Sequence, residues 1–265
     1  MTIRIAVAGA HGWMGREVVR LIDREPNFEL VAAVSPSQAG QLVHRTIGAG
    51  PPSMVFVASV QDALSSADVL VDFTHPGVVQ KHIELALEAG VRPVIGTSGL
   101  NEALADRWAD YCEQRRVGCV IAPNFAIGAV LMMNFAAQAS RYLPHVEIIE
   151  AHHDQKLDAP SGTAIKTSEM IASRRPALEQ GHPEEKEILP GARGGSTHGF
   201  RIHSVRLPGL FSHHEVLCSG AGQLLTIRHD ALNREAFMPG VKLAVEKVVH
   251  LKNMVYGLEK LLFSP

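Results

Sequence analysis

This sequence predicts an α/β protein built on a doubly wound parallel sheet, and three observations carry the prediction. Short apolar runs at 3–8 (IRIAVA), 30–34 (LVAAV) and 69–73 (VLVDF) alternate with segments of helical periodicity, the order expected of βαβ units. A glycine turn, Gly9-Ala10-His11-Gly12-Trp13-Met14-Gly15, joins the first run to the first helical segment. Further on, three strand-like runs separated by tight turns predict a β-rich second region.

Taken in order, the first strand at 3–8 leads through the glycine turn into a helix marked by Val18, Val19, Leu21 and Ile22. At G-x-x-G-x-x-G spacing the glycines permit a tight turn and close backbone approach, while the helix N-terminus meets phosphates. Gly9, Ala10, His11, Gly12, Trp13, Met14 and Gly15 are therefore candidate dinucleotide-binding residues, although a plain strand-to-helix turn uses the same pattern. The second strand ends about twenty residues after the last glycine, where such folds often place an acidic residue on the ribose. Ser35-Pro36 stand there instead. Residues 38–52 show no periodicity and read as a mobile loop before a short strand at 54–58. A helix at 77–89 ends at Gly90, a common residue just past a helix end. The strand at 93–95 empties into Gly96-Thr97-Ser98-Gly99, and the next helix sets Leu104, Trp108 and Tyr111 on one face before a strand at 117–122. Parallel sheets bind ligands at the carboxyl ends of their strands. That makes Phe73-Thr74, Gly96-Thr97-Ser98 and Ala122-Pro123-Asn124-Phe125 candidate cofactor turns.

The helical stretch at 124–142 is rich in Met, Ala and Leu; Met132 and Met133 read as packing, and the domain switch falls near here. Residues 147–164 (EIIEAHHDQKLDAPSGTA) then read as strand, polar loop and helix start. Pro160 biases Ala159 away from helix, and Ser161 is a good N-cap. Histidine exchanges protons near neutrality, lysine brings a cation, and a new helix N-terminus offers N–H groups to an anion. A small, doubly acidic substrate with one centre needing a proton would use all three. Adjacent histidines on a strand face opposite ways, so one of His152 and His153 would face a given site. A helix at 162–173 follows. The irregular segment 178–199 includes a Gly191-Ala-Arg-Gly-Gly-Ser run, read as loop because no strand precedes it. Strands at 201–207, 213–219 and 223–229 read as an antiparallel meander, and a final amphipathic helix runs from about residue 234 to 256 or 262.

Composition narrows the function. The chain has 265 residues, 46% hydrophobic and 20% charged, with a net charge of −2, so no basic field argues for nucleic acid or an anionic membrane. Fourteen histidines lie scattered without zinc-type spacing, and no metal is expected. Cys112, Cys119 and Cys218 are odd in number and unevenly spread, which fits a reducing compartment. With no leader pattern and no spanning apolar run, a cytoplasmic location is expected.

The run from Glu150 to Ala164 resembles the signature of the dihydrodipicolinate reductases, a Glu-X-His-His-X-X-Lys-X-Asp-Ala-Pro-Ser-Gly-Thr-Ala pattern that stands complete here. The resemblance extends over essentially the whole chain, including HSVRLPG at 203–209 and LTIRHD at 225–230. It implies a Rossmann-like dinucleotide-binding domain at 1–125, completed by the C-terminal helix at 234–265. Residues 126–233 would form an α+β substrate-binding and oligomerisation domain with a mixed sheet, in a homotetramer built through that sheet. The implied reaction reduces a cyclic dicarboxylate of the diaminopimelate and lysine pathway with NADPH or NADH. By the same resemblance His152 is the acid/base and Lys156 the proton donor. His153, Ser161, Gly162 and Thr163 hold substrate carboxylates, and Arg234 is a candidate for the distal one. Ser35-Pro36, and Trp13 where many relatives carry a basic residue, depart from the family pattern. They predict use of both cofactors with a modest NADPH preference. Two other readings stay open: a sister reductase acting on another small imine, and a dinucleotide sensor without turnover.

Overall fold

The computed structural model describes residues 2–97, 100 and 102–263, with the backbone alone over 102–106. Its two compact units are Met1–Phe125 with Arg234–Pro265, and Ala126–Asn233. In the first, β1 (Ile3–Ala8) turns at the glycines into α1 (Trp13–Arg24), whose buried face carries Val18, Val19 and Ile22. After β2 (Phe28–Val34) and a 3-10 turn at Pro36–Gln38, the stretch 38–52 expected to be a mobile loop contains a short helix α2 (Val43–Ile47). Fewer than two helical turns leave too little sequence for a periodicity to register, but Val43 and Ile47 are buried and hold the helix down. The strand expected at 54–58 is reduced to two isolated bridges, Val34 with Val57 and Leu42 with Val55. Then come β3 (Val69–Asp72), α3 (Pro76–Glu88), β4 (Arg92–Ile95), α4 (Glu102–Arg115) and β5 (Cys119–Ile121). Trp108 is buried and Tyr111 packs beside it, whereas the Leu104 side chain lies outside the described residues.

The second unit opens with α5 (Ile127–Ala139), where Met132 and Met133 are core residues. Then follow β6 (His145–His152), α6 (Gly162–Ala172), β7 (Gly195–Thr197), β8 (Phe200–Arg206), β9 (Ser212–Gly220) and β10 (Gln223–Ala231). The Gly191 run is therefore loop only in its first four residues, since Gly195 and Ser196 belong to β7. Sheet order is β10-β9-β6-β8-β7, with β6 and β8 parallel and the other pairs antiparallel. The expected meander is corrected: β9 and β10 form a hairpin, but β6 lies between β8 and β9. Residues 207–211, with their Pro208-Gly209 turn, link β8 to β9 past the end of β6, and the Leu207 N–H donates to His152 O at 3.0 Å. Two strand spacings are ~10 Å, within reach of such a link, so a hairpin signal serves equally well for a jump over one strand.

The final segment is not one helix. A 3-10 turn, Arg234–Phe237, leads into α7 (Met238–Val248), then β11 (Met254–Tyr256) and α8 (Glu259–Leu262). β11 pairs in parallel with β5, giving a six-stranded sheet of order β11-β5-β4-β3-β1-β2. The chain thus completes the parallel sheet with a strand as well as a helix. Val69, Leu70 and Val71 are wholly buried, as a central parallel strand requires.

Candidate active site

Along β6 the side chains alternate, and Val146, Ile148 and Glu150 are the buried ones. Glu147, on the opposite face, pairs with Arg193 at 2.9 Å and with His203. Burial would raise the Glu147 pKa, but the bonds from His203 and Arg193 outweigh it and hold the carboxyl below its usual range. Glu150 has no exposed side-chain surface. Its Oε2 lies 2.5 Å from His152 Nδ1, and Arg206 grips both oxygens, at 3.1 and 2.9 Å. Burial pushes Glu150 up; hydrogen bonds from His152, Arg206 and Ser204 more than reverse this and bring it down to about 2. The Nε2 atom of His152 meets the Ser212 hydroxyl at 3.1 Å.

Beyond β6 the polar loop folds back on itself. Lys156 Nζ contacts both carboxylate oxygens of Asp158, at 2.7 and 2.9 Å, and this bond, opposed by burial, lowers the Asp158 pKa. Arg206 also donates to Asp158 O at 2.6 Å, tying β8 to the loop. The Ala159–Pro160 peptide is cis. Ser161 caps α6 as expected, its hydroxyl accepting from the Ala164 N–H at 3.3 Å, while its own N–H donates to Glu150 at 3.3 Å. Ser161 is buried, so its side chain builds the helix start rather than facing outward. A Cβ added to Gly162 would meet nothing within 4 Å, so there is space beside the first residue of α6. His153 and Thr163 are half-buried on either side of this loop.

The strand-end turns of the parallel sheet form a second constellation. Gly9 has φ +75°, and a Cβ there would stand 2.7 Å from Phe73 O; a Cβ on Gly15 would overlap Gly9 O. Only bare glycine lets α1 start so close to β1 and β3. No side chain caps α1 at Gly12. The Ala10 N–H donates to Val34 O at 3.0 Å, setting the glycine turn beside the end of β2. There Ser35 is buried, with its hydroxyl 3.4 Å from that of Ser37. Arg16 on α1 clasps His11, donating to its carbonyl at 2.9 Å and meeting Nε2 at 2.5 Å. Trp13 is 75% exposed, and the guanidinium of Arg234 lies over its ring, 4.9 Å from the centroid. Met14 is half-buried.

A buried carboxylate that sequence reasoning missed, Asp72, organises the remaining turns. It accepts from the Thr74 N–H at 2.9 Å, the Thr74 hydroxyl at 2.6 Å and the Thr97 hydroxyl at 2.9 Å, and His82 meets it at 2.7 Å. The Phe73 ring lies so close to Gly96 that a Cβ there would overlap it, and tilts against Phe125 at 5.7 Å. Ala122 donates to Ile95 O at 3.0 Å, and Pro123 and Asn124 continue the turn after β5. Ser98 lies outside the described residues. Among the described residues no group of His, Cys, Asp and Glu could hold a metal ion, and no helix is long and apolar enough to cross a membrane.

Known proteins match the whole chain. Residues 3–125 fit the family model described as dihydrodipicolinate reductase, N-terminus, and residues 128–262 its C-terminal counterpart. The chain is 54% identical to the 4-hydroxy-tetrahydrodipicolinate reductase of Geobacillus thermodenitrificans, over 99% of this chain and 100% of that one. It is 52% identical to the same enzyme of Halalkalibacterium halodurans, over 98% and 99%. A solved structure, dipicolinate-bound dihydrodipicolinate reductase from Paenisporosarcina sp. TG-14, superposes with a TM-score of 0.87 at 48% identity, covering 98% of this chain and 99% of that one.

Proposed function

This chain belongs to the dihydrodipicolinate reductase family, and from that premise we propose that it reduces 4-hydroxy-tetrahydrodipicolinate to tetrahydrodipicolinate in diaminopimelate and lysine biosynthesis. The observation that carries the reading is the complete signature run, folded so that a carboxylate-bound histidine, a lysine and a helix N-terminus belong to one unit. The start of α6, at Gly162 and Thr163, suits one substrate carboxylate, because the positive end of the helix dipole favours an anion. His153 and Lys156 add polar and cationic partners. His152 and Lys156 manage the proton that the reduction requires at the ring. Arg234 remains a candidate for the distal carboxylate.

The glycine turn fits a dinucleotide: bare Gly9 and Gly15 let the turn close tightly against the end of β3 and the start of α1, and the uncapped α1 start can receive the pyrophosphate. When bound, the reduced nicotinamide supplies the hydride. Phe73, Thr74, Gly96, Thr97, Ser98 and Ala122 to Phe125 would line its nicotinamide end, and Trp13 and Ser35 its adenosine end. No carboxylate stands at Ser35 to repel a 2′-phosphate, and Arg16 adds positive charge to the turn, so both cofactors are accepted with a modest NADPH preference. Ser35→Asp should cut kcat/KM for NADPH selectively, and an unchanged NADPH/NADH ratio would remove Ser35 from the ribose site.

The protein acts as a homotetramer packed through the face of the second sheet opposite α5 and α6, where Leu224 and Val205 are exposed. Sedimentation should give four copies. Activity is tested by mixing purified protein with enzymatically generated substrate and each reduced nicotinamide. Cofactor oxidation that depends on the cyclic substrate supports the reductase; binding of cofactor without turnover would leave only a sensor.

A further inference from the structure

Glu150 does something that the signature run does not announce. With its pKa at about 2 it is ionised at neutral pH, and an ionised carboxylate only accepts hydrogen bonds. His152 Nδ1, 2.5 Å away, must therefore carry a proton, and in the neutral imidazole Nε2 is left to accept from the Ser212 hydroxyl. Around this pair stand Arg206 and Ser204 from β8, Ser212 and His214 from β9, and Ser161 ahead of α6; His229 from β10 lies beside His214, and Asp158 meets Arg206 through its backbone carbonyl. Among them His214 is 4% exposed with neither ring nitrogen bonded, and burial pushes it down to about 4, so it stays neutral and does not compete for Glu150. Arg206 is the fixed counter-charge.

Resting on the reading of His152 as the group that exchanges a proton with substrate, we infer that Glu150, clamped by Arg206, is a positioning residue that holds His152 in the Nδ1–H tautomer. Nε2 is then the nitrogen that trades the proton. Through the Ser161 N–H the same carboxylate also fixes the imidazole relative to the start of α6, so that proton exchange and carboxylate binding share one anchor. Glu147 cannot substitute, because an odd spacing puts it on the other face of β6.

The decisive variant is Glu150→Gln. Arg206 Nη2 and the Ser161 N–H both donate to Oε1 and would hold the amide oxygen there, turning the amide nitrogen toward His152 Nδ1 at the loss of the bond from Arg206 Nη1. The ring would then have to accept at Nδ1 and carry its proton on Nε2, the wrong tautomer. Where an orienting carboxylate of this kind is replaced by an amide in a catalytic triad, kcat falls by ~10⁴. The test combines ¹⁵N-histidine spectra of the unliganded full chain, with the His152 signals assigned through His152→Asn, and steady-state kinetics. Expected are an Nδ1–H tautomer in the wild type and an Nε2–H tautomer in Glu150→Gln, with kcat lowered by ~10²–10⁴. The Kd for pyridine-2,6-dicarboxylate should change little. Glu150→Asp, which keeps the charge, should retain the Nδ1–H tautomer and recover most of kcat. If uncompensated Arg206 prevents Glu150→Gln from folding, Glu150→Gln with Arg206→Met takes its place. An Nδ1–H tautomer retained without the carboxylate, or full kcat in a folded Glu150→Gln, overturns the inference. Absence of turnover in the wild type would instead sink the reductase reading, while the spectra still decide what Glu150 does to His152.

Discussion

At Lys156 the cation already has a partner. Asp158 holds it through both oxygens, in a pair whose side chains are 23% and 59% exposed. Such an exposed pair contributes only ~0–1 kcal/mol to stability, so under the proposed function its part is to aim the ammonium. Asp158→Asn should leave the melting temperature nearly unchanged yet lower kcat, because the lysine loses its fixed direction. His152→Ala and Lys156→Ala should each lower kcat by ~10²–10⁴ with cofactor Kd unaltered. Steady-state kinetics with cofactor titration decide both points, and near-normal kcat in either alanine variant removes that residue from the chemistry. The signature makes His152 and Lys156 legible as candidates because both lie in one local run. Arg206, which grips Glu150, was not legible. It is 56 residues away and reaches Glu150 only because β8 runs parallel beside β6, whereas the sequence pattern placed it in a meander. Asp72 was hidden differently: inside the apolar run VLVDF a single acid reads as the end of a strand, and its partners Thr97 and His82 come from two other elements.

Among elements, α6 was the most legible, since its boundary is written in adjacent residues: a proline, a capping serine and a small bare glycine. Elements fixed by distant partners were not. β11 is three residues long and exists because β5 offers a free edge, and α2 is held by Val43 and Ile47 sinking into the core. The space at the start of α6 gives a test at its own scale. A side chain at Gly162 meets nothing within 4 Å, so Gly162→Asp should fold normally. An acid in the first turn stabilises a helix by about 0.3–1 kcal/mol, and the melting temperature should hold or rise slightly. The same charge would repel a dicarboxylate approaching those N–H groups. Calorimetry with pyridine-2,6-dicarboxylate should therefore show affinity reduced by roughly tenfold or more, a loss of about 1.4 kcal/mol. Unchanged affinity would place the carboxylate site elsewhere.

For the molecule as a whole, the ionisable groups kept inside the second sheet set its resistance to acid. His214 is buried and pushed down from 6.5 to about 4, chiefly by burial, with Glu150 pulling the other way and His152 and His229 adding to the depression. Below pH 6.5 the unfolded chain takes up a proton here that the folded one refuses until about pH 4. The unfolded state thus binds more protons across that window, and stability falls as pH falls, by about 3 kcal/mol in full. Glu150 acts in the next window. Its folded pKa of about 2 against an ordinary 4.5 stabilises the fold above pH 4.5, and that contribution is lost as pH drops toward 2. The two losses follow one another, so acid destabilisation should begin near pH 6.5, earlier than carboxylates alone would allow. His214→Leu separates them: a leucine of similar volume takes no proton, and at pH 8 it should match the wild type within about 1.5 kcal/mol. At pH 4 it should be the more stable by up to about 3 kcal/mol, with the Glu150 step still present below. Denaturant titrations of both proteins at half-unit intervals from pH 8 to 3 measure the difference. Curves that stay parallel through pH 6.5 to 4 would mean that His214 does not remain neutral inside the sheet.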